Sequence, residues 1–141
     1  MSIKQISIVL PVFNEELIIE RLASEIEKHV AYPIEFVFVS DGSTDNTLEI
    51  IEKYRTKKSN HKKIIDLARN FGHQQALMAG LSSVSSDSDI IVVMDADFLS
   101  DPDDISRLIT HLAKESDCVY AVPIGHSARR LIVFFYIPPP N

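Results

Sequence analysis

The chain has 141 residues, of which 45% are hydrophobic and 24% charged, a balance typical of one soluble globular domain with a sizeable core. Its net charge of −6 is spread along the sequence, which argues against a basic face for nucleic acid. No apolar run approaches the roughly 20 residues of a membrane-spanning helix, and no signal-peptide pattern opens the sequence, so we expect a cytoplasmic protein. The only cysteine, Cys118, excludes an internal disulfide and is expected to be a small buried side chain.

Short apolar runs along the chain predict a series of strands. Five are expected, at residues 5–12, Ile34–Ser40, 63–67, Ile90–Met94 and 118–122. Stretches with apolar residues at helical spacing lie between them, so the order is an alternation of strand and helix. Such a chain predicts an α/β fold with a Rossmann-like, mainly parallel sheet and helices on both faces.

Polar residues mark the predicted helix starts. Asn14 is expected to cap the first helix, and Ser43 or Thr44 the second. Asp101 is expected to cap the fourth helix, with Pro102 at its first position. The basic segment 57–63 is expected to be a solvated loop.

The central feature is the apolar run Ile90–Met94, which ends in Asp95 and Asp97 with Ala96 between them. Residues two apart in extended backbone point to the same side, so the two carboxylates should project together from the carboxyl end of a buried strand. That end of an open α/β sheet is where ligands bind, and paired carboxylates suit Mg²⁺ or Mn²⁺. An Asp-x-Asp sequence also fits an ordinary loop or helix cap, so this pattern alone leaves both readings open.

Other predicted strands end in polar residues at the same edge of the sheet. Asn14 and Glu15 follow the first strand, Asp41 and Gly42 the second, and Arg69 and Asn70 the third. A carboxylate such as Asp41 can accept hydrogen bonds from the edge of a base, and the guanidinium of Arg69 can donate bidentate hydrogen bonds to a diphosphate. Four neighbouring loops equipped in this way predict a shared binding site.

Four stretches, residues 8–15, 38–45, 68–77 and 94–97, together resemble inverting family 2 glycosyltransferases of the GT-A fold. The Arg-Asn-Phe-Gly-His segment at 69–73 resembles polyprenyl-phosphate sugar transferases, including dolichol-phosphate mannose synthases and bacterial undecaprenyl-phosphate glucosyltransferases. The resemblance implies transfer of a sugar from a nucleoside-diphosphate sugar (UDP or GDP) to an acceptor, with inversion and with Mg²⁺ or Mn²⁺. It also implies a lipid-phosphate acceptor and a place at the cytoplasmic face of the membrane for the full-length protein.

The resemblance carries roles over to individual residues. It implies that Pro11, Phe13, Glu15 and Asp41 line the base and ribose pocket, and that Arg69 faces the phosphates. It implies a diphosphate and metal site at Asp95, Ala96 and Asp97, with the two aspartates as metal ligands. It names no catalytic residue. His73 could touch a substrate, although a His at a helix start is more often a polar residue of the cap region.

The sequence departs from the family pattern in its second half. The family usually reads Leu-Gln-Asp-Pro after the acidic pair, where this chain has one extra residue in 98–102 and no Gln. The Arg of the family's Tyr-Gly-x-Arg is absent after Tyr120, and the sequence leaves open whether Arg129 or Arg130 takes its place.

We expect residues 1–122 to form the nucleotide-sugar-binding domain of a truncated chain. No sixth strand is evident, and residues 123–141 are expected to be a cut-off tail leading to an acceptor-binding or membrane-proximal region. Within it, the apolar segment 131–137 is interpreted either as the stub of a membrane-lying helix or as a strand without a partner. The second interpretation would offer an association surface for a homo-oligomer.

Other functions remain as alternatives. A non-catalytic nucleotide-binding fragment or regulatory module fits the same motifs, and we expect the isolated chain to bind nucleotide but to transfer sugar poorly. A nucleotidyltransferase or dinucleotide oxidoreductase would need a glycine-rich loop after the first strand, and residues 11–16 contain no Gly. A phosphatase with an Asp-x-Asp nucleophile would carry it at the first strand, which here ends at Pro11 and Val12.

Overall fold

The computed structural model describes residues 2–57, 60–97, 101–115, 117–121 and 131–135. Its elements follow in the order β1 Ile6–Val12, α1 Ile19–His29, β2 Ile34–Ser40, α2 Thr47–Lys53, β3 His61–Asp66, α3 His73–Ser82, β4 Ile90–Met94, α4 Pro102–Glu115, β5 Cys118–Ala121 and β6 Leu131–Phe135. The predicted α/β alternation is therefore confirmed.

The strands form one sheet in the order β3-β2-β1-β4-β6-β5. β1 pairs in parallel with β2 and with β4, and β2 pairs in parallel with β3. β6 pairs antiparallel with both β4 and β5, so the sheet is mainly parallel with one reversed strand. The order reverses at β1, because the chain moves outward to β3 on one side and then returns to β4 on the other.

The expectation that no sixth strand follows β5 was wrong, because Leu131–Phe135 is a strand inserted between β4 and β5. The same residues are neither a helix stub nor a strand without a partner. Residues 122–130 and 136–141, which include Arg129 and Arg130, lie outside the described residues. The division of the chain at residue 122 stays a prediction.

One face of the sheet is covered by α1, α2 and α4. Alternate residues of β1, such as Ile8 and Leu10, are completely buried there with Leu22 and Ile26 of α1 and Ile105 of α4. This alternation follows from the two-residue period of a strand, and the apolar stripes of the helices supply the matching surface. The larger part of the hydrophobic core lies in this layer.

The opposite face is covered by α3. Val9 of β1, Val37 and Val39 of β2 and Ala76 of α3 are buried together there. Gly80 lets the helix approach closely, since a Cβ at this position would lie 2.5 Å from Val9 Cγ1 and 3.0 Å from Val39 Cγ2. The prediction of helices on both faces is confirmed, and α3 is held in a fixed position above the centre of the sheet.

Two of the predicted helix caps differ from those in the structure. Asn14 does not cap α1, which begins at Ile19 after Ile18. Ser43 and Thr44 do not cap α2; the backbone N–H of Thr47 instead donates to Asp45 Oδ1 over 2.9 Å. The cap of α4 is confirmed, because Asp103 N donates to Asp101 Oδ1 over 3.0 Å and the helix begins at Pro102.

The basic segment 57–63 is only partly a loop, because β3 begins at His61. Lys62 and Lys63 are not a free cationic patch. Lys62 Nζ donates to carbonyls at the end of α2, and Lys63 Nζ pairs with Glu35. Cys118 lies in β5 and is partly buried. Among the described helices, none is both long and apolar enough to cross a membrane.

Candidate functional site

A cleft of about 560 Å³ opens where the carboxyl ends of β1 and β4 lie side by side. This is the point at which the strand order reverses, and the ligand site of an open α/β sheet forms there. Seven of the eight residues predicted for the site line this cleft: Pro11, Phe13, Glu15, Asp41, Asp95, Ala96 and Asp97. The structure thus brings together residues that are up to 86 positions apart in sequence.

The inner surface of the cleft is largely apolar. Val12 of β1 and Met94 of β4 line it, and Ala76 and Leu77 of α3 lie on the side of the opposite face. Phe13 follows β1 directly and is 46% exposed, so its ring is available to a ligand at the rim. An apolar surface with a few polar groups around it is the usual composition of a small-molecule site.

The loop after β1 is fixed by the loop that precedes α2. Asn14 has a positive φ of 51°, and its Oδ1 accepts hydrogen bonds from Thr44 N (2.8 Å) and Asp45 N (3.3 Å). Glu15 N donates to Thr47 Oγ1 over 2.8 Å. Asn14 tolerates the left-handed conformation better than most residues, so these bonds explain its place better than a helix cap does. They hold Glu15 at the cleft.

Glu15 lies in an acidic environment. Partial burial raises the pKa of its carboxyl, and the charges of Asp97 and Asp45 raise it further. Because like charges disfavour ionisation, the cleft concentrates negative potential around Glu15 and Asp97. A cation bound at this place would relieve that repulsion.

Asp41 lies at the end of β2 and is only 5% exposed. Phe71 N donates to its Oδ1 over 2.8 Å, and Gly72 N donates to its Oδ2 over 3.2 Å. Its own N–H donates to Val12 O over 2.9 Å, which ties the end of β2 to the end of β1. Asp41 is therefore bonded to the loop between β3 and α3 as well as lining the cleft.

Arg69 is the predicted site residue that does not line the cleft. Its guanidinium lies 4.0 Å from the centroid of the Phe71 ring, a cation–π distance, and its Nη1 is 3.4 Å from Asn70 O. Its expected contact with phosphates stays a prediction.

His73 lines the cleft, so it lies where the less favoured of the two interpretations, contact with a substrate, would place it. Its Nε2 lies 3.6 Å from Asp95 Oδ1, across the gap between the start of α3 and the end of β4. Asn70 and Gly72 line the same side. Asn70 was expected at this edge of the sheet because it follows the third strand, whereas the place of Gly72 and His73 depends on where α3 begins beside the sheet.

Asp95 and Asp97 are the residues that would hold a divalent ion. In the described part of the chain, no group of three or more His, Cys, Asp or Glu side chains is arranged to hold a metal. Mg²⁺ and Mn²⁺ need no such cage, because they are commonly held by one or two carboxylates together with waters and the phosphates of a substrate. The two carboxylates and the acidic surroundings of Glu15 therefore fit an ion that binds together with a phosphate ligand.

The chain has clear relatives among characterised proteins. The family model described as "Glycosyl transferase family 2" matches residues 7–132. The undecaprenyl-phosphate 4-deoxy-4-formamido-L-arabinose transferase of Yersinia enterocolitica is 36% identical over 125 residues, which are 86% of this chain and 37% of that protein. This chain thus spans little more than a third of the length of that relative.

Solved structures show the same fold. A mannosyltransferase from Pyrobaculum calidifontis, in complex with GDP-Man and Mn²⁺, superposes with a TM-score of 0.74 at 23% identity, covering 96% of this chain and 45% of that one. Glucosyl-3-phosphoglycerate synthase from Mycobacterium tuberculosis, in complex with Mn²⁺, UDP and glucosyl-3-phosphoglycerate, superposes with a TM-score of 0.62 at 26% identity. The match covers 83% of this chain and 42% of that one. The predicted GT-A fold is confirmed. Because the family model covers most of its length, the chain belongs to glycosyl transferase family 2.

Proposed function

We propose that this chain is the nucleotide-sugar-binding part of an inverting glycosyltransferase that uses a UDP- or GDP-sugar. The observation that carries the proposal is the cleft between the ends of β1 and β4, whose lining combines an exposed aromatic ring and apolar side chains with a pair of aspartates. A nucleoside diphosphate has the same two halves, a flat base and a charged diphosphate. The ligands of the two solved neighbours support this choice of ligand class.

In the proposed complex the nucleoside lies against Pro11 and Phe13, with Glu15 and Asp41 beside it. All four line one continuous cleft with Asp95, Ala96 and Asp97, where the diphosphate would lie. Phe13 presents an exposed ring to the base, and aromatic stacking of this kind accepts any base. Base preference must therefore come from polar groups at this end of the cleft.

Asp95 and Asp97 would hold Mg²⁺ or Mn²⁺ on the diphosphate. When bound, such an ion neutralises the negative charge that develops on the nucleoside diphosphate as it leaves the anomeric carbon. Without the ion the carboxylates repel a diphosphate, and the raised pKa of Glu15, which reflects burial and the charges of Asp97 and Asp45, is a sign of that negative field. Nucleotide binding should therefore depend on the cation.

The proposed acceptor is a polyprenyl phosphate at the cytoplasmic face of the membrane. The name of the Yersinia relative, an undecaprenyl-phosphate sugar transferase, supports this acceptor class. A phosphate acceptor is already ionised at neutral pH, so it has little need of a general base. Since this chain covers 37% of that relative, we expect nucleotide binding by this chain and little transfer without the remaining portion.

A thermal-shift panel tests the nucleotide and metal assignments. UDP, GDP, CDP and ADP and their sugar conjugates are each added with and without Mn²⁺. A ligand at 100 times its dissociation constant stabilises the fold by about 2.7 kcal/mol, so the preferred nucleotide should stand out as a shift of several degrees. No shift with any of these nucleotides would refute the proposal.

Two variants complete the test. Asp95→Ala combined with Asp97→Ala should abolish the Mn²⁺-dependent part of the shift, while Asp87→Ala, at an exposed aspartate in the loop after α3, should keep it. An unchanged shift in the double variant would remove the metal assignment. A turnover assay with polyprenyl phosphate, run beside the panel, distinguishes a transferase from a non-catalytic binding module.

A further inference from the structure

Asn14 lies between Phe13 and Glu15 in the chain, and these two neighbours line the cleft whereas Asn14 does not. Its side chain instead contacts the segment that joins β2 to α2. The Oδ1 atom accepts hydrogen bonds from two consecutive amides of that segment, Thr44 N at 2.8 Å and Asp45 N at 3.3 Å. Two residues of the proposed nucleoside pocket are therefore anchored through a residue that lies outside the cleft.

Hydrogen bonds from the backbone extend this connection. The amide of Asn14 donates to Ser43 Oγ over 3.2 Å, and the next amide, Glu15 N, donates to Thr47 Oγ1 over 2.8 Å. Thr47 is completely buried, so its hydroxyl is a fixed and water-shielded partner. Because consecutive residues of one loop are bonded to the short segment 43–47, the loop cannot shift unless several of these bonds break together.

The backbone of Asn14 has an uncommon conformation. Its φ is +51°, in the left-handed region that most side chains avoid and that asparagine tolerates. The direction of the chain at this residue determines where the side chains before and after it lie. Phe13 is 46% exposed, so packing around its ring only partly fixes it, and its place depends on the backbone that Asn14 holds.

We infer that Asn14 is a positioning residue for the nucleoside end of the cleft, which holds Phe13 and Glu15 ready for a ligand that Asn14 itself does not contact. The inference rests on the proposed nucleotide site and deepens it. Contact groups that are already in place raise affinity, because their ordering does not then oppose binding. Asp95 and Asp97 follow a different strand, so the diphosphate end should keep its geometry when Asn14 is changed.

Two substitutions of Asn14 separate its hydrogen bonds from its backbone conformation. Asn14→Gly permits the same φ but removes the acceptor for the two amides. Asn14→Asp keeps an oxygen acceptor and also tolerates the left-handed conformation. Ser86→Gly, at an exposed position in the loop after α3, is the control for the added flexibility of a glycine. Calorimetry in the presence of Mn²⁺ measures the affinities of UDP, GDP and inorganic pyrophosphate for each protein.

We expect Asn14→Gly to weaken UDP and GDP by about tenfold and to leave pyrophosphate within about twofold of the wild type. Asn14→Asp adds a charge that acts on all anions alike, so the ratio of nucleotide to pyrophosphate affinity should stay near the wild-type value. Ser86→Gly should change neither affinity. Unchanged nucleotide affinity in Asn14→Gly, or an equal loss for pyrophosphate, would overturn the inference.

Fluorescence of the ligand-free protein gives an independent readout. The chain has no Trp, so Phe13→Trp introduces a single indole at the rim of the cleft. Combining it with Asn14→Gly should lower the anisotropy of that indole, and combining it with Asn14→Asp should not. Unchanged anisotropy with Asn14→Gly would overturn the inference even if affinities fell. A wild type that binds neither nucleotides nor pyrophosphate would instead refute the proposed function, and the anisotropy would still decide whether Asn14 fixes its neighbour.

Discussion

Lys63 Nζ lies 2.8 Å from Glu35 Oε1, and Glu35 is almost completely buried in β2 although it carries a charge. Ser7 Oγ and Ser85 N donate to its other oxygen, Oε2. Burial by itself raises the pKa of Glu35, but the hydrogen bonds from Lys63, Ser7 and Ser85 outweigh it, so the net pKa lies below the ordinary value of 4.5. The end of the sheet away from the cleft is thus held by a paired and hydrogen-bonded charge.

This network predicts a loss of stability in acid. A carboxyl whose pKa is lowered by folding stabilises the native state above its unfolded pKa, and the contribution disappears as the pH falls through 4.5 to the lower folded value. Urea unfolding of Glu35→Gln should therefore show a weaker dependence on pH below 5 than the wild type. Equal slopes for the two proteins would show that Glu35 is not the titrating group.

Removal of the partner Lys63 should be costly at neutral pH. Lys63→Met leaves a buried carboxylate with its hydrogen bonds but without its counterion, and we expect a loss of about 1–3 kcal/mol. The control is Lys53→Met, which breaks the exposed ion pair with Glu49 and should hardly change the unfolding midpoint. Similar midpoints for both variants would contradict the role given to burial.

Gly80→Ala should destabilise the protein, although alanine is the better helix former. The added Cβ would lie 2.5 Å from Val9 Cγ1, and this valine is completely buried in β1. Overpacking of this kind costs about 1–3 kcal/mol, which exceeds the gain in helix propensity of about 1 kcal/mol. Thermal unfolding measures the difference, with the exposed Met78→Ala in the same helix as the control. A more stable Gly80→Ala would mean that α3 can move away from the sheet at little cost.

Lys62→Met should loosen the end of α2. Lys62 Nζ donates to the carbonyls of Ile51 (2.8 Å), Glu52 (2.9 Å) and Tyr54 (2.9 Å) at the C-terminal end of the helix, where carbonyls run out of partners in the next turn. Of these, the Ile51 carbonyl also accepts from Tyr54 N over 3.3 Å. Burial lowers the pKa of this amine, yet the cation remains favourable beside the negative end of the helix.

The expected loss for Lys62→Met is about 1–2 kcal/mol, with faster amide exchange in the α2 segment. Lys57→Met is the control, because its Nζ makes a single long contact of 3.5 Å with Ser24. If both variants lost the same stability, the effect would come from the general loss of positive charge and not from the bonds to α2.

The parts of the fold that sequence predicted are those determined by local pattern. Ile90–Met94 is uniformly apolar because it lies in the middle of the sheet, and this directly indicates a buried strand. The antiparallel insertion of Leu131–Phe135 between β4 and β5 is different, because an apolar run of five residues does not indicate which strands it will join. That pairing depends on the geometry of the whole sheet.

The same distinction applies to the site. The carboxylates of Asp95 and Asp97 were predictable because they end a buried strand, and the strand end determines where they lie. The role of Asn14 was not predictable, because its amide oxygen accepts from the backbone N–H groups of Thr44 and Asp45, about 30 residues later. Local sequence indicated a helix cap instead. His73 also needed the structure, because only the packing of α3 over β1 brings it to Asp95.

Glu15→Gln should stabilise the ligand-free protein at neutral pH. Burial is the largest cause of the raised pKa of Glu15, and the charges of Asp97 and Asp45 raise it further. The ionised form is therefore disfavoured in the folded state. A carboxyl with a raised folded pKa costs stability above that pKa and has no effect below its unfolded value, where it is protonated in both states. The neutral amide removes this cost, which we expect to be below about 1 kcal/mol at a partly exposed position.

The pH dependence and a cation together test this explanation. The stabilising effect of Glu15→Gln should be present at pH 7 and vanish below about pH 4, as thermal unfolding across that range would show.

Mn²⁺ with a nucleoside diphosphate should also reduce the stabilising effect of Glu15→Gln, because a cation near Asp97 compensates the repulsion that raises the pKa of Glu15. Glu20→Gln, an exposed acid in the first turn of α1, is the matched control and should give no gain, since a negative charge is favourable at a helix start. If the stability gained by Glu15→Gln persists in acid, the amide makes a new hydrogen bond, and charge repulsion in the cleft is not the cause of the gain.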